Sequence, residues 1–386
     1  MTEWIECTLD KLGEIVGGAT PSTKCEDYYG GSIPWITPKD LSSFKGRYIT
    51  SGERNITEKG LASCSAQMMP KDAVLFTSRA PIGYVAIASQ SVCTNQGFKN
   101  IVVNEKADPL FVYYLLKYNK DAIEAMGSGT TFKEVSGKTM RAVKVRIPVD
   151  VSYQKRIAAV LDSLDTKIEN NERINDNLLA QAQTLYKQFF PYGVQDDLPD
   201  GWRIGTVGEI IEIHDSKRIP LSGADRSKME KKIYPYYGAA SLMDLVDNYI
   251  FDGKYLLLGE DGTVVDDAGY PILQYVWGQF WVNNHAHILT GRLGYDVESL
   301  YMLFKQTPVK SIVTGAVQPK ISQANLRSVQ VVIPPEHNLR EYNDLVEPLF
   351  SLFRANEEEC KTFTALRDTL LPKLMSGEID VSAVQL

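Results

Sequence analysis

The chain has 386 residues, of which 44% are hydrophobic, and a formal net charge of −7. This length allows two domains with separate cores. No apolar run approaches the roughly 20 residues of a membrane span, and the start, MTEWIECTLD, lacks the basic and apolar regions of a signal peptide. We therefore expect a cytoplasmic protein. The five scattered cysteines include no C-x-x-C, which argues against a disulfide framework and a zinc site.

The acidic balance is uneven along the chain. Residues 1–148 carry 18 Lys and Arg against 15 Asp and Glu, a charge of +3, whereas residues 336–386 carry 5 against 10, a charge of −5. The net charge therefore does not exclude a nucleic-acid ligand, because a basic groove can lie on an acidic protein.

Residues 1–148 form the first predicted domain, of mixed helices and strands. Stretches such as AVLFTS (73–78) are typical of buried strands followed by a turn. The domain closes with GSGTTFKEVSGKTMRAVKVRIP, from Gly127 to Pro148.

Residues 149–195 are predicted to form a long helix. No Gly or Pro occurs between Val149 and Phe190, and a core position recurs at alternating steps of four and three residues. These positions are Ile157, Leu161, Leu164, Ile168, Asn171, Asn175, Leu178, Ala182, Leu185 and Phe189. A seam with this spacing predicts a coiled coil, and about 40 residues would make a rod of about 60 Å.

The second half of the chain repeats the first. After a linker at Asp196–Gly201, residues 196–335 form a second predicted domain that ends in TGAVQPKISQANLRSVQVVIPP, Thr314 to Pro335. At a shift of 186, seven of the twenty pairs from 129 to 148 are identical, without a gap. At a shift of 188, CTNQGFKNI (93–101) matches WVNNHAHIL (281–289). We interpret this as an internal duplication.

Residues 336–386 are predicted to form a second long helix and a tail. Shifting the first seam by 188 predicts core positions at Leu345, Leu349, Leu352, Asn356, Glu359, Phe363, Leu366, Leu370 and Lys373, with Leu374 replacing the last. Each helix could pack only on its own domain, but two matched seams favour pairing with each other. Connectivity predicts an antiparallel pair, since each helix must lead from one domain to the next.

The order of these parts resembles a known family. LRDTLLPKLMSGEIDV (366–381) is similar to the end of the second helical region in specificity (S) subunits of type I restriction-modification systems. QKRIAAVLDSLDTKIENN and LLAQAQTLYKQFF are similar to the first helical region, and PWITPKDL and GSGTTFKEVS to parts of the target recognition domains. The resemblance covers nearly the whole chain. It implies an α+β fold: two similar target recognition domains joined by two long antiparallel coiled-coil helices, with pseudo-twofold symmetry.

The resemblance also implies a function and partners. Each target recognition domain would recognise one half of a bipartite sequence in double-stranded DNA, and the helices would fix the spacer. Two modification subunits, which methylate adenine with S-adenosylmethionine, would dock on the helices, and two restriction subunits would join them. No cofactor is expected in this chain.

The sequence lacks the motifs of an enzyme. The Pro-Pro of IPPEH (333–337) is not an adenine methyltransferase motif, and neither G-x-G-x-x-G nor G-x-x-x-x-G-K-[ST] occurs. His285 and His287 would share one face of a strand, but no third metal ligand is apparent, so we expect no metal. GEDG (259–262) is more typical of an acidic turn than of catalytic carboxylates.

Candidate DNA contacts are Lys, Arg, amide and small polar residues in predicted loops, because these groups bind phosphates and base edges. In the first domain they are Thr37, Lys39, Ser78, Arg79, Asn95, Gln96, Lys99, Thr130 and Lys133. In the second domain they are Lys217, Arg218, Tyr236, Tyr237, Asn283, Asn284, His285, Gln318 and Lys320.

The polar middle of the helix pair is predicted to set its register. Antiparallel pairing would bring Asn171 and Asn175 close to Asn356 and Glu359, and a buried Asn disfavours shifted registers. Two other functions stay open at this point: a two-domain protein that binds a carbohydrate or peptide, and a coiled-coil scaffold. A steep fall of affinity with salt would favour DNA over the first of these.

Overall fold

The computed structural model describes residues 2–129, 133–315 and 317–385. The chain divides into two compact units. Unit 1 comprises Met1–Glu172 and Glu357–Leu386, and unit 2 comprises Arg173–Asn356. Among the described residues, no helix is both long and apolar enough to cross a membrane.

Unit 1 is built from short strands and helices around three sheets. Its strands are β1 (Trp4–Thr8), β2 (Gly13–Gly17), β3 (Tyr29–Ile36), β4 (Tyr48–Ile49), β5 (Arg54–Ile56), β6 (Val74–Ser78), β7 (Ile82–Ala88), β8 (Cys93–Thr94), β9 (Lys99–Val103) and β10 (Lys144–Pro148). Its short helices are α1 (Pro38–Ser42), α2 (Glu58–Ala62), α3 (Pro109–Tyr118), α4 (Lys120–Ala125) and α5 (Gly137–Ala142). The sheet orders are β2-β9-β6-β7-β4, β5-β3-β8 and β1-β10.

The first of the two long helices, α6 (Val151–Phe189), follows β10 and continues into unit 2. Unit 2 has strands β11 (Arg203–Thr206), β12 (Ile211–Ile213), β13 (Tyr234–Tyr237), β14 (Leu242–Val246), β15 (Phe251–Asp252), β16 (Tyr255–Gly259), β17 (Leu273–Val276), β18 (Gln279–Val282), β19 (Ala286–Gly291) and β20 (Gln330–Ile333). Its short helices are α7 (Val207–Ile210), α8 (Gly223–Ser227), α9 (Val297–Phe304) and α10 (Gln323–Ser328). The sheet orders are β12-β19-β16-β17, β14-β13-β18-β15 and β11-β20. The second long helix, α11 (Glu336–Ser376), then returns into unit 1.

The two units share their strand pairing, which confirms the predicted duplication. β1 pairs antiparallel with β10, and β11 with β20, so each unit is closed by its first and last strands. The parallel pair β3–β8 places Trp35 opposite Cys93, and the parallel pair β13–β18 places Tyr236 opposite Trp281. These pairs coincide with the sequence matches at 93–101 and 281–289.

The long helices belong to the core of each unit. In unit 1, Ile157 and Leu161 of α6 lie in one buried cluster with Leu374 and Met375 of α11. In unit 2, Ala182 and Tyr186 of α6 share a cluster with the beginning of α11, and the Tyr342 hydroxyl donates to the Ala182 carbonyl at 3.1 Å. In unit 1, Ile157 of α6 clusters with Leu374 of α11, and the later Asn171 contacts the earlier Glu359. In unit 2, Asn175 contacts Asn356, and the later Ala182 contacts the earlier Tyr342. The two helices are therefore antiparallel.

Burial confirms the seam predicted on α6 and corrects the one predicted on α11. One predicted row, Leu349, Asn356, Phe363 and Leu370, is buried or half-buried. The other row is wrong by one residue: Leu345, Leu352, Glu359 and Leu366 are exposed, while Val346, Phe353, Cys360 and Arg367 lie inward. At the end of this row Leu374, predicted to replace Lys373, is buried. Because α11 has leucines on its outer row as well, spacing alone could not distinguish the two rows.

Candidate nucleic-acid interface

In unit 1, a single loop after β8 holds together the ends of three strands. The Asn95 backbone N–H donates to the Ile36 carbonyl of β3 at 2.9 Å, and the Ser78 N–H of β6 donates to the Gly97 carbonyl at 2.7 Å. The Asn95 side chain accepts from the Gly97 N–H at 2.8 Å, which fixes the turn. The candidates on β6, β8 and β9 are thus brought to one place.

Two candidate cations of unit 1 meet at an acid that the sequence analysis did not select. The Glu134 carboxylate lies 3.4 Å from the Arg79 guanidinium and 3.4 Å from the Lys99 ammonium. Lys99 also donates to the Ser78 hydroxyl at 3.3 Å. Ser78 is buried, so it contacts Lys99 from inside the unit. Lys133, next to Glu134, is exposed, and Thr130 lies outside the described residues.

The remaining unit 1 candidates lie beside this loop. Thr37 caps α1: its N–H and hydroxyl both donate to the Asp40 carboxylate, at 2.7 and 2.6 Å. Lys39 is exposed and pairs with Glu53 at 2.7 Å. Gln96 is exposed and accepts from the Thr20 hydroxyl. Lys39 and Gln96 are therefore the candidates best placed to meet a ligand from solvent.

Unit 2 repeats this set of backbone hydrogen bonds around the loop, which we call the frame. The Asn283 N–H donates to the Tyr237 carbonyl at 3.0 Å, and the Asn283 side chain accepts from the His285 N–H at 2.8 Å. The Glu260 N–H donates to the His285 carbonyl at 2.9 Å. By these bonds Asn283 is the equivalent of Asn95, and Glu260 the equivalent of Ser78.

Arg218 is an internal residue of unit 2 and not a free surface cation. Its guanidinium donates to Glu260 at 2.6 Å and to the Ala286 carbonyl at 2.8 Å, and lies 3.4 Å from the Asp215 carboxylate. The exposed Lys320 reaches the other oxygen of Glu260 at 3.2 Å. Of the cations predicted to contact DNA, Arg218 is thus the one whose guanidinium is bound by two acids and a carbonyl of its own unit.

The acids of this network are stabilised as carboxylates. Burial would raise the pKa of Asp215, but hydrogen bonds from His287 and the Ile288 N–H and the charge of Arg218 lower that pKa below its ordinary value. Burial likewise opposes ionisation of Glu260, and Arg218, His287 and Lys320 together lower its pKa. Both groups are therefore charged at neutral pH.

Asp215, Glu260 and His287 could be taken for a metal site, since one ligand atom of each lies within 4.8 Å of the others. The atoms that would bind a metal, however, already have partners within the protein. His287 Nδ1 bonds Asp215 at 2.6 Å, and its Nε2 bonds the Ile321 carbonyl at 2.8 Å. The cations on Glu260 supply the compensation that a metal ion would otherwise give. The residues fit an internal ion network better than a metal.

The other unit 2 candidates divide into exposed and buried ones. Lys217, Asn284, Gln318 and Lys320 are exposed, and His285 is half-exposed with Nδ1 2.5 Å from Asp261. Two candidates, Tyr236 and Asn283, are buried. Tyr236 is 1% exposed, its hydroxyl accepts from the Leu221 N–H at 3.1 Å, and it is a core residue.

Asn283 is also buried, and its amide donates to the Met243 sulfur at 3.3 Å. Tyr237 is half-buried, with its ring 5.9 Å from that of Phe280. Burial of Tyr236 could not be inferred from YPYY, where aromatic residues are equally typical of a binding surface and a core.

The sequence analysis missed the acids of both frames, because it sought groups that bind phosphates and bases. The duplication carries a signal for one of them: the shift of 186 aligns Glu134 with Lys320, so the charge at this position has opposite sign in the two halves. In unit 1 an acid at this position faces cations, and in unit 2 a cation faces the acid Glu260.

The polar middle of the helix pair forms the contacts on which the register hypothesis depends. In unit 1 the Asn171 amide donates to Glu359 at 2.6 Å. In unit 2 the Asn356 amide donates to the Asn175 side chain at 2.9 Å, with both residues buried. Glu359 is exposed, so the buried amide pair of unit 2 is the more demanding of the two contacts.

Comparisons with known proteins agree with this architecture. The model of the type I restriction modification DNA specificity domain matches residues 1–180 and 199–359. The type I restriction enzyme MjaIX specificity subunit of Methanocaldococcus jannaschii is 31% identical over 413 residues, covering 98% of this chain and 94% of that protein. The EcoR124I/EcoR124II specificity subunit of Escherichia coli is 28% identical over 193 residues, 48% of this chain and 46% of that protein.

A solved structure shares the fold. The crystal structure of a type I restriction-modification S subunit from M. genitalium aligns with a TM-score of 0.60 at 18% identity, covering 97% of this chain and 96% of that one. The duplicated domain, the antiparallel helices and the two family matches lead to one assignment. This chain belongs to the family of specificity subunits of type I restriction-modification systems.

Proposed function

We propose that this chain is the sequence-specific DNA-binding subunit of a type I restriction-modification complex, and that each unit recognises one half of a bipartite sequence. The observation that carries this proposal is the repeated frame around Asn95 and Asn283. Each unit holds an equivalent loop by the same backbone bonds, but with different side chains on it. Two equivalent frames with different side chains suit two half-sites of different sequence.

The exposed candidates supply the chemistry for duplex DNA. Lys39 and Gln96 in unit 1, and Asn284, Gln318 and Lys320 in unit 2, are cations and amides open to solvent. Cations neutralise phosphates, and amides bind base edges bidentately.

The helices are proposed to set the spacer and to dock two modification subunits. In unit 2, α11 exposes Leu345 (51%) and Leu352 (48%) seven residues apart, on a strip that flanks the buried row of Tyr342 and Val346. Leucines with this spacing suit packing against a helix of another protein. Two restriction subunits complete the proposed complex.

Catalysis is assigned to the partners. In this proposal the chain itself transfers no methyl group and cuts no DNA, and S-adenosylmethionine binds to the modification subunits. The purified chain with DNA and labelled S-adenosylmethionine should incorporate no label. Labelling that rises with the amount of chain and survives repurification would contradict this assignment.

The function is tested by co-expressing the chain with its modification subunit and mapping methylated adenines across the host genome. The expected result is one bipartite sequence with a spacer of fixed length, methylated only when this chain is present. Affinity of the complex for that duplex should fall with salt with a log–log slope of about −0.9 per phosphate contact. A methylation pattern independent of this chain would refute the proposal.

A further inference from the structure

The β13–β14 hairpin of unit 2 carries an irregularity at its tip. Tyr236 pairs with Asp244 and Tyr237 with Leu242, so Met243 has no residue opposite it in the ladder. This is a β-bulge, which breaks the alternation of side chains along a strand. The turn is closed by the Gly238 N–H, which donates to the Ser241 carbonyl at 2.9 Å.

The bulge brings two large apolar side chains to the surface together. Leu242 is 52% exposed and Met243 is 54% exposed, although they are consecutive. In a regular strand one of the two would point inward, as Val246 does. β14 is also the edge strand of its sheet, so its outer side pairs with no other strand among the described residues.

The tip is continuous with the candidate DNA interface. The Asn283 amide donates to the Met243 sulfur at 3.3 Å, in the loop that carries Asn284 and His285. The Ala239 carbonyl of the turn lies 3.2 Å from where a Cβ would stand on Gly259, next to Glu260. The apolar tip and the polar loop therefore form one surface of unit 2.

The segment leading into the hairpin is basic. Residues 225–232, DRSKMEKK, contain four cations and two acids. Arg226 and Lys232 flank the hairpin and reach Asp244 at 3.1 and 3.5 Å, while Lys228 and Lys231 are exposed. An apolar tip beside exposed lysines complements DNA, which offers phosphates around a groove.

We propose that the β13–β14 hairpin enters the major groove of the half-site recognised by unit 2, and that Leu242 and Met243 contact a thymine methyl group there. This inference rests on the proposed DNA-binding function. A two-stranded ribbon fits the major groove, and the thymine methyl is the apolar group that its base edges present. Methionine adapts its shape to such a contact. In unit 1 the strand equivalent to β13 is followed instead by the polar pair Lys39–Glu53.

The test uses the full chain in complex with its modification subunit and a duplex carrying the mapped target. Each thymine of the unit 2 half-site is replaced in turn by uracil, which removes only the methyl group. At one position this should weaken binding by the wild-type complex about fourfold, the value for one buried methyl. With Leu242→Ser/Met243→Ser the same replacement should have no effect, while the variant binds the normal duplex roughly tenfold more weakly.

Leu293→Ser is the matched control, since Leu293 is 53% exposed in unit 2 but lies in the turn beside the beginning of α11. It should retain wild-type affinity and the uracil effect. If the wild-type complex binds its target but neither uracil nor the double variant changes affinity, the hairpin inference is overturned and the proposed function stands. If the double variant loses the modification subunit, the tip docks protein and the inference is also overturned. If the wild-type complex binds no target selectively, the proposed function fails with it.

Discussion

The two units hold the same loop on the same backbone bonds, but they distribute charge around it in opposite ways. In unit 1, the half-buried cations Lys99 and Arg79 share one acid, Glu134. In unit 2, the buried Asp215 and the half-buried Glu260 share the cation Arg218. The two copies thus share their backbone hydrogen bonds around the loop but differ in the charged side chains that surround it. A duplicated frame can thus serve two unrelated half-sites.

The largest expected effect is on the stability of unit 2. Arg218→Ala would leave the buried Asp215 and the half-buried Glu260 with reduced compensation, which should lower the free energy of unfolding by about 3–5 kcal/mol. In unit 1, Thr20→Ala removes only the exposed contact to Gln96 and should cost less than about 1 kcal/mol. Chemical denaturation with hydrogen exchange resolved by unit measures both. Equal losses for the two variants would contradict the proposed difference.

The helix contacts should also differ between the units. Asn175→Leu leaves the buried Asn356 amide without its side-chain partner in unit 2, which should cost about 1–3 kcal/mol. Asn171→Leu should cost less, because its partner Glu359 is exposed to water. Thermal unfolding of the single variants tests this order.

The double variant Asn175→Leu/Asn356→Leu should restore or raise stability, since the buried polar pair is removed as a whole. It should also permit methylation at targets whose spacer differs in length from the mapped one. Unchanged spacer discrimination in this stable variant would show that the amides do not set the register.

Acid should affect two local sites, one in each unit, in opposite directions. In unit 2, Asp215 and Glu260 have pKa values below their ordinary range in the folded state, so their stabilisation is present above about pH 4 and is lost as pH falls through the folded values. In unit 1, the Arg47 guanidinium lies 3.3 Å from Asp162 and 3.1 Å from Glu169, but burial raises the pKa of both carboxyls, so their protonation favours the folded state.

The protection of β16 and β19 against hydrogen exchange, relative to the intrinsic rate at each pH, should therefore fall below about pH 4, whereas the backbone around Arg47 in unit 1 should not lose protection at the same pH. Asp296, which caps α9 of unit 2, has a pKa raised by burial, so its protonation favours the folded state. Hydrogen exchange is therefore measured at the strands beside Asp215. If protection were lost first around Arg47, the predicted difference between the two sites would be wrong.

The smallest expected effect is on the salt dependence of DNA binding. Glu134→Gln frees Arg79 and Lys99 in unit 1 and should steepen the log–log slope by about 0.9–1.8, for one or two added phosphate contacts. Lys320→Gln in unit 2 should make the slope shallower by about 0.9. Titrations of the complex from low to moderate salt measure both, and slopes that move in the same direction would be inconsistent with the opposite charge arrangements.

The architecture could be predicted because repetition is visible in the sequence. The shift of 186 and the seam from Ile157 to Phe189 needed no knowledge of packing. The row containing Leu345 could not be distinguished from the buried row by sequence, because α11 is apolar on two faces and only contacts with α6 decide which face is buried. The exposed candidates could be selected by residue type, but the burial of Arg218 and Tyr236 depends on acids and backbone groups distant in the chain.

The β13–β14 tip could not be predicted, because a bulge is a property of strand pairing. LMDL in isolation holds three apolar residues and one acid, and this composition does not tell which side chains are exposed. Only the pairing of Tyr237 with Leu242 places both Leu242 and Met243 at the surface.

The central claim, two independent recognition units in one chain, is tested most directly by exchanging one of them. Residues 1–148 are replaced by the first domain of another family member, with the junction between the end of β10 at Pro148 and the start of α6 at Val151. The exchanged chain is co-expressed with its modification subunit, and methylated adenines are mapped. The account predicts that one half of the methylated sequence changes while the other half and the spacer length stay the same. A simultaneous change of both halves in a folded complex would contradict it.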